Sequence, residues 1–580
     1  SNWNYGRDPF EGLRFDAPLR SLRQRLSRDK EPLLETILRE RLLKNMHRLT
    51  VVSKPSFEVG PLQEAEEKRR LEEHRAKLTE DDLQRLIDET KELKEMQEKP
   101  DAPEALACMP RLEIADIPKL SPRMTTEVGA IGGAQILKHP QLTSGVVYVD
   151  LAFDLRGVPE RLLPLLSLFC RGLREMGTKR SDVVQLQRRI DLHTGGISAS
   201  PLISSRRGSP EPAAVLVLRG KAMQAKVESL LDLVAEISME TSWGNKERFV
   251  QLLREAHTSG RSGLISSGHA VAAGRLGRQS TIAGWAAEQV SGLSQFLAIE
   301  NLLKLAENDW PVVEAQLREL QACVFNNSCV VNVTADADAL TSIDGQIEAL
   351  LRRLSAGGGP ASRWAPSLAR VNEGIIVPSQ VNYVGKATNL YRDAAYDLHG
   401  SAVVASRLLG TTWLWDRVRV VGGAYGGFCS FDLRSGDFKF LSYRDPNLKK
   451  TLETYDGTAD FLRELEVNAD MLVKSVIGTM GDVDKHQLPD AKGFTALTRH
   501  LLGETDEMRQ ELRDQILWTT GDDLRNFAGV LEAVRSGSVC VVGGEESVRA
   551  AAASFDLVLS SPLASVARPS CTSDAAQPRT

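Results

Sequence analysis

From Pro61 to Lys99 the chain is written almost entirely in charge: 22 of 39 positions are Asp, Glu, Lys or Arg. Leu83, Leu86, Ile87, Leu93 and Met96 recur there at helical spacing, a thin apolar stripe on an otherwise solvated surface. Thr79, with Asp82 three residues on, has the form of a capping box, so a helix start is expected at that point. Pro100, Pro103 and Pro110 close the segment. The pattern predicts a charged helical hairpin over residues 58–104 that serves as a linker. Upstream, in residues 1–57, Pro18 to Leu26 and Pro32 to Lys44 predict two short helices, and His47 to Val52 predicts a strand.

Past residue 104 the apolar pattern becomes that of globular domains. The first block, 105–356, is expected to hold strands at Val146 to Leu155, toward Ile203, at Ala214 to Arg219 and at Cys329 to Thr334. Its helices are expected at Glu160 to Met176, Asp182 to Leu192, Met223 to Glu240 and Ile343 to Leu354. Residues 357–370 read as a Gly/Pro joint. The second block, 371–567, is expected to hold a strand near Val381 to Val384, a helix from Ala394 to Leu409 and a hairpin. Helices over Asn447 to Met480, Gly493 to Leu501 and Thr505 to Leu517 follow, then a closing strand at Ser538 to Val542 and a helix at Glu545 to Phe555. Residues 568–580 read as a disordered tail. Both blocks run strand, helices, strand pair, helix, late strand, helix. That order predicts an α+β fold: two homologous α/β sandwich domains, each a mostly antiparallel sheet packed with helices, preceded by the charged hairpin.

The densest signal lies between Trp415 and Asn447 (WDRVRVVGGAYGGFCSFDLRSGDFKFLSYRDPN). Gly422-Gly423 and Gly426-Gly427 bracket Ala424 and Tyr425, so the backbone can take positive φ or approach another chain closely on both sides of the Tyr. Alternation then places Tyr425, Gly427, Cys429 and Phe431 on one strand face, with Ala424, Gly426, Phe428 and Ser430 on the other. Arg434-Ser435-Gly436-Asp437 carries hairpin-turn chemistry, and Phe438 to Tyr443 reads as the return strand. Asp445-Pro446 is expected to cap and open a helix.

Composition removes several functions. A net charge of −5 leaves no basic stripe for nucleic acid, and no uninterrupted apolar run of about 18 residues offers a membrane span. Seven scattered cysteines form no C-x-x-C pair, which suits a reducing compartment. No targeting peptide is legible, and the beginning at Ser1 reads as the interior of a folded protein. No two of the nine histidines are four residues apart, so no forward or inverted zinc helix can be written; His500 with Glu504 reads as a surface His near a helix end. There is no phosphate-loop motif and no G-x-S-x-G, while Gly543-Gly544 reads as a tight strand-to-helix turn.

The Trp415 to Asn447 stretch resembles the presequence proteases, organellar members of the pitrilysin and insulin-degrading-enzyme group of zinc metallopeptidases. So do Phe169 to Thr178 (FCRGLREMGT), Thr194 to Ser198 (TGGIS), Arg219 to Met223 (RGKAM), Gly268 to Ala273 (GHAVAA), Ile282 to Trp285 (IAGW) and Pro103 to Ala107 (PEALA). The resemblance covers most of the chain and aligns it with a carboxyl-terminal half. It implies the end of a second domain, a helical linker, and pitrilysin-type third and fourth domains. It further implies a clamshell in which a zinc-bearing amino-terminal half, outside this sequence, closes against this half around an unfolded peptide.

In relatives an Arg and a Tyr of the fourth domain reach the substrate backbone near the scissile bond. The matching positions are Arg419 and Tyr425, with Arg417 as the competing Arg and Gly422 and Gly423 beside them on the substrate-binding surface. Alternatively, Arg419 pairs with an acid such as Asp416 and Tyr425 packs in an interface. The implied activity is zinc-dependent cleavage of unfolded targeting peptides and other short peptides in the mitochondrial matrix or plastid stroma. The zinc would be held by the other half and none by this chain. The competing function is a catalytically silent scaffold or peptide-binding subunit of a processing-peptidase-like complex.

Overall fold

A computed structural model describes residues 2–28, 32–54, 56, 58–99, 101–354 and 364–560. The chain divides into two compact units, Ser1–Pro110 and Arg111–Thr580. In the first unit, helices span Asp16–Arg28 and Leu33–Ile37, the latter running into a widened turn at Leu38–Leu43. His47 to Val52 forms no strand, contrary to expectation, since an apolar run becomes a strand only where another strand pairs with its backbone. Two long helices follow, Val59–Arg75 and Glu80–Glu98. The capping box forms as expected: Asp82 N donates to Thr79 Oγ1 at 3.2 Å while Thr79 N donates to Asp82 Oδ2 at 3.1 Å.

The second unit contains two mixed six-stranded sheets packed with helices, an α+β arrangement of two sandwiches. In the first sheet the strands are β1 (Glu127–Ile131), β2 (Ala134–Pro140), β3 (Val146–Asp154), β4 (Ile197–Arg206), β5 (Ser209–Met223) and β6 (Cys329–Ala335), ordered β1-β2-β6-β3-β5-β4. In the second they are β7 (Glu373–Ile376), β8 (Tyr383–Asn389), β9 (Gly426–Phe431), β10 (Asp437–Tyr443), β11 (Ser538–Gly543) and β12 (Leu557–Leu559), ordered β12-β7-β11-β8-β10-β9. The orders superpose. Hairpin β4–β5 matches β9–β10, and the parallel pair β2–β6 matches β7–β11. Only the outermost strand differs, β1 preceding its block and β12 ending its own.

Period-2 burial explains why each sheet needs two covers. In β5, Leu216 and Leu218 join the main core of the first block, whereas Val215 and Val217 pack with Leu137 and Ala152 against Leu497 of the Pro489–Leu502 helix. In the second sheet, Val384, Phe438, Phe440 and Val541 face that block's own helices. Tyr383, Leu441, Cys540 and Val542 instead pack with Ala272 and Leu276 of the Gly268–Gly277 helix. Each block thus lends a helix to the far face of the other's sheet. Gly268 is required at that contact, because a Cβ there would come within 2.3 Å of the Tyr383 ring.

Candidate functional site

The site begins where the Ser401–Thr411 helix ends. Leu414 and Val418 are buried four residues apart, and Trp415–Val420 forms a single widened turn in which Val421 N donates to Asp416 O at 2.8 Å. Such widened turns carry one extra residue per turn and re-aim the side chains beyond them. The chain reverses at Gly422-Gly423. Gly423 holds φ at +78°, its N–H donates to Arg419 O at 2.9 Å, and Asn447 Nδ2 donates to Gly422 O at 2.6 Å. Ala424 is buried as the anchor, and Tyr425 N then donates to Tyr443 O at 3.1 Å, ahead of the β9–β10 ladder.

This path puts Arg419 and Tyr425 on one exposed face. The Arg419 guanidinium lies 4.1 Å over the Trp415 ring and 5.8 Å from the centroid of Tyr425, a residue that is 67% exposed. Tyr425 meets Tyr443 edge-on at 5.7 Å, and Tyr443 in turn meets His269 edge-on at 5.0 Å. Burial holds the His269 imidazole below its ordinary pKa, so it is a neutral wall for this aromatic column. Among the described residues, Arg419 has no carboxylate partner and the Tyr425 hydroxyl has no hydrogen-bond partner. Asp416 pairs instead with Arg417, at 3.6 Å, and Arg417 lies 5.2 Å over Trp413. Arg417 is therefore drawn to a different aromatic neighbour from the one that holds Arg419.

Within β9 the expected alternation is present: Cys429 and Phe431 border the block's own core, and Phe428 borders the core shared with the Gly268–Gly277 helix. Ala424 and Tyr425 precede the strand and depart from it, since Ala424 lies in the same core as Cys429 and Phe431 while Tyr425 packs on Tyr443. The expected helix opening at Asp445-Pro446 is not. The helix starts at Lys449, and Asp445 is buried, accepting from Asn447 N at 2.9 Å and Thr451 Oγ1 at 2.7 Å; burial raises its carboxyl pKa. An Asp that ties down a loop cannot also cap a helix three residues later. Trp415, Tyr443 and His269 were not anticipated. The WDR sequence signalled a Trp four residues before Arg419, but the contact from His269 joins distant parts of the chain.

Gly422 has an identifiable reason. A Cβ there would lie 2.4 Å from Val418 O and 2.9 Å from Arg417 O, both rigid backbone atoms. Gly422→Ala is expected to destabilise the protein by about 1–3 kcal/mol, read from the chemical-denaturation midpoint. An unchanged midpoint would mean that the turn opens freely. Gly543 and Gly544 are explained by packing too, with would-be Cβ atoms 2.3 Å from Asn382 Oδ1 and 2.4 Å from Ser379 O. The helix after them carries Glu545 and Glu546 in its first turn, which opposes an anion.

Among the described residues no three His, Cys, Asp or Glu side chains are grouped to hold a metal ion. His500, in the last turn of the Pro489–Leu502 helix, bonds Gln135 Oε1 at 2.8 Å. No helix among the described residues is long and apolar enough to cross a membrane.

Two family descriptions match the chain. Residues 54–302 match the domain associated with subfamily C of the M16 peptidases, and residues 372–545 match the PreP C-terminal domain. Presequence protease 1, chloroplastic/mitochondrial, of Arabidopsis thaliana is 44% identical over 555 residues, covering 95% of this chain and 51% of its own length. The mitochondrial presequence protease of Saccharomyces cerevisiae is 28% identical, with 93% and 55% covered, and Protein HypA of Clostridium perfringens is 29% identical, with 94% and 56% covered. The chain spans about half the length of the curated relatives it matches. In fold it is similar to the crystal structure of a peptidase M16 inactive domain from Pseudomonas fluorescens, with a TM-score of 0.52 at 15% identity, covering 72% of this chain and 98% of that one.

Proposed function

Because the chain belongs to the presequence-protease family of pitrilysin-type peptidases, matching its carboxyl-terminal half, we propose that it forms the substrate-facing wall of a peptidase that degrades unfolded targeting peptides and other short peptides. The observation that carries this reading is the shared exposed face of Arg419 and Tyr425, a guanidinium with no carboxylate partner beside a phenol with no hydrogen-bond partner among the described residues. Both are donors held by backbone turns. They would bond a peptide carbonyl and strengthen that bond as the oxygen gains negative charge in the transition state. The Gly422-Gly423 reversal sets the backbone between them, and Arg417 is the second Arg of this surface. The metal is zinc by family and is assigned to an amino-terminal half outside this sequence; no step through it falls to these residues. The proposed location is the mitochondrial matrix or plastid stroma, after the names of the relatives. A silent peptide-binding scaffold is the competing reading, and the unpaired Arg419 weighs against it, since a scaffold has no use for free oxyanion donors.

Purified alone, the chain is expected to bind no stoichiometric zinc and to cleave no peptide. Combined with the zinc-bearing half, it is expected to cleave an unfolded targeting peptide in a chelator-sensitive way and to leave folded proteins intact. Chelator-sensitive cleavage by the isolated chain, or none by the combination, would overturn the proposal.

A further inference from the structure

A cavity of about 790 Å³ opens among four helices, Lys246–Ser266, Gly268–Gly277, Ile282–Ser291 and Leu293–Asn308. Glu288 stands in its wall although its side chain is only 1% exposed. The two carboxylate oxygens have different surroundings. Oε1 accepts from Arg275 Nη1 at 3.1 Å, from Ser294 N at 3.1 Å and from Ser294 Oγ at 3.4 Å. Oε2 receives no donor among the described residues. A Cβ on Gly274 would lie 3.0 Å from Oε2 and one on Gly292 only 1.8 Å away, so a side chain at either of these cavity-lining positions would press on that oxygen.

The charge balance points the same way. Arg275 also grips Glu373, with Nε to Oε2 at 2.6 Å, so one guanidinium pairs two carboxylates, all with side chains at most 6% exposed, and Arg278 adds only a through-space charge on Glu288. Burial pushes the Glu288 carboxyl upward in pKa even with Arg275 beside it. The other charged groups of the cavity wall are already matched, Arg171 by Glu175 and Glu255 and Lys439 by Asp437 at 3.6 Å. A single free oxygen is a poor site for a divalent metal, which needs about six oxygen ligands. The remaining wall includes Leu264, Phe296 and Ile299, suited to a methylene stem that ends in a charged head.

We propose that this cavity binds the basic side chain of a peptide, with its stem on the apolar wall and its guanidinium or ammonium head on Glu288 Oε2. The proposal rests on the reading above only in that a peptide carries the group, and its test involves neither zinc nor cleavage. Nα-acetyl-arginine N-methylamide is titrated into the intact chain by ligand-observed NMR, beside the neutral citrulline analogue of the same shape. Saturable binding by the arginine compound is expected, with the citrulline compound at least tenfold weaker. Gly274→Ala sets a methyl against Oε2 at an interior helix position where Ala is the better helix former, so the fold is kept. It is expected to weaken arginine binding at least tenfold with no fall in the thermal midpoint. Equal binding of the two compounds, undiminished binding by Gly274→Ala, or displacement of the arginine compound by equimolar magnesium chloride would each overturn it.

Discussion

On the proposed role of Tyr425, its replacement by Phe in the complete peptidase is expected to lower kcat by about 10²- to 10³-fold while KM changes little, since it would remove one preorganised donor from an oxyanion and leave the ring in place. The ring is the part the fold holds: it packs edge-on against Tyr443 at 5.7 Å and carries Arg419 at 5.8 Å, and Phe preserves both contacts. The hydroxyl is the part the fold leaves free, because no described residue bonds it and the residue is 67% exposed. Deleting it therefore costs little stability, and the change concentrates in the chemical step. Single-turnover measurement with saturating peptide separates the two effects. A variant with unchanged turnover, or one whose KM rises by the whole factor while kcat holds, would take Tyr425 out of transition-state stabilisation and leave it a binding contact at most.

The parts of this arrangement that were legible in the sequence are those built from neighbours in the chain. The Thr79/Asp82 capping box joins residues three positions apart, and the β9–β10 hairpin closes through Gly436 at φ +83°. The Gly-flanked position of Tyr425 also needed only local reading, as the positive φ of Gly423 and the crowding at Gly422 make plain. What escaped was set at long range. The stretch from 246 to 325 folds into five helices whose apolar residues are spread around more than one face, because two cores compete for them: Phe249 and Val313 serve the first block, Ala272 and Leu276 the second. Periodicity can mark a helix with one buried stripe, but it cannot announce a helix shared between two sheets. The widened turn at Trp415–Val420 escaped for a related reason, since it inserts a residue to reconcile the buried Leu414 and Val418 with a strand that starts at Gly426. His47 to Val52 failed in the other direction, with a strand-like composition and no strand to pair with it.

Arg275→Met is expected to produce the largest loss of stability of any single substitution considered, about 3–5 kcal/mol at neutral pH. The Arg275 side chain is 6% exposed and joins Glu288 of one block to Glu373 on β7 of the other, so it ties the exchanged helix to the sheet that helix covers. Methionine fills much of the same volume but leaves two buried carboxylates without the guanidinium that pairs them, and Arg278 acts on Glu288 only through space. The pH dependence gives the sign. Glu288 has its pKa raised by burial in the native protein, so its contribution is most favourable below its ordinary value near 4.5 and declines as pH rises through the higher native value. Without Arg275 that native value moves further up, and the deficit relative to the parent should shrink on acidification from pH 7 toward pH 4.5. The triple variant Arg275→Met, Glu288→Gln, Glu373→Gln should recover most of the loss, because the cost lies in unpaired charge and not in a missing contact. Urea midpoints across that pH range decide the matter: a deficit that grows on acidification, or a triple variant no more stable than Arg275→Met, would show that the network is held by packing and that its charges are incidental.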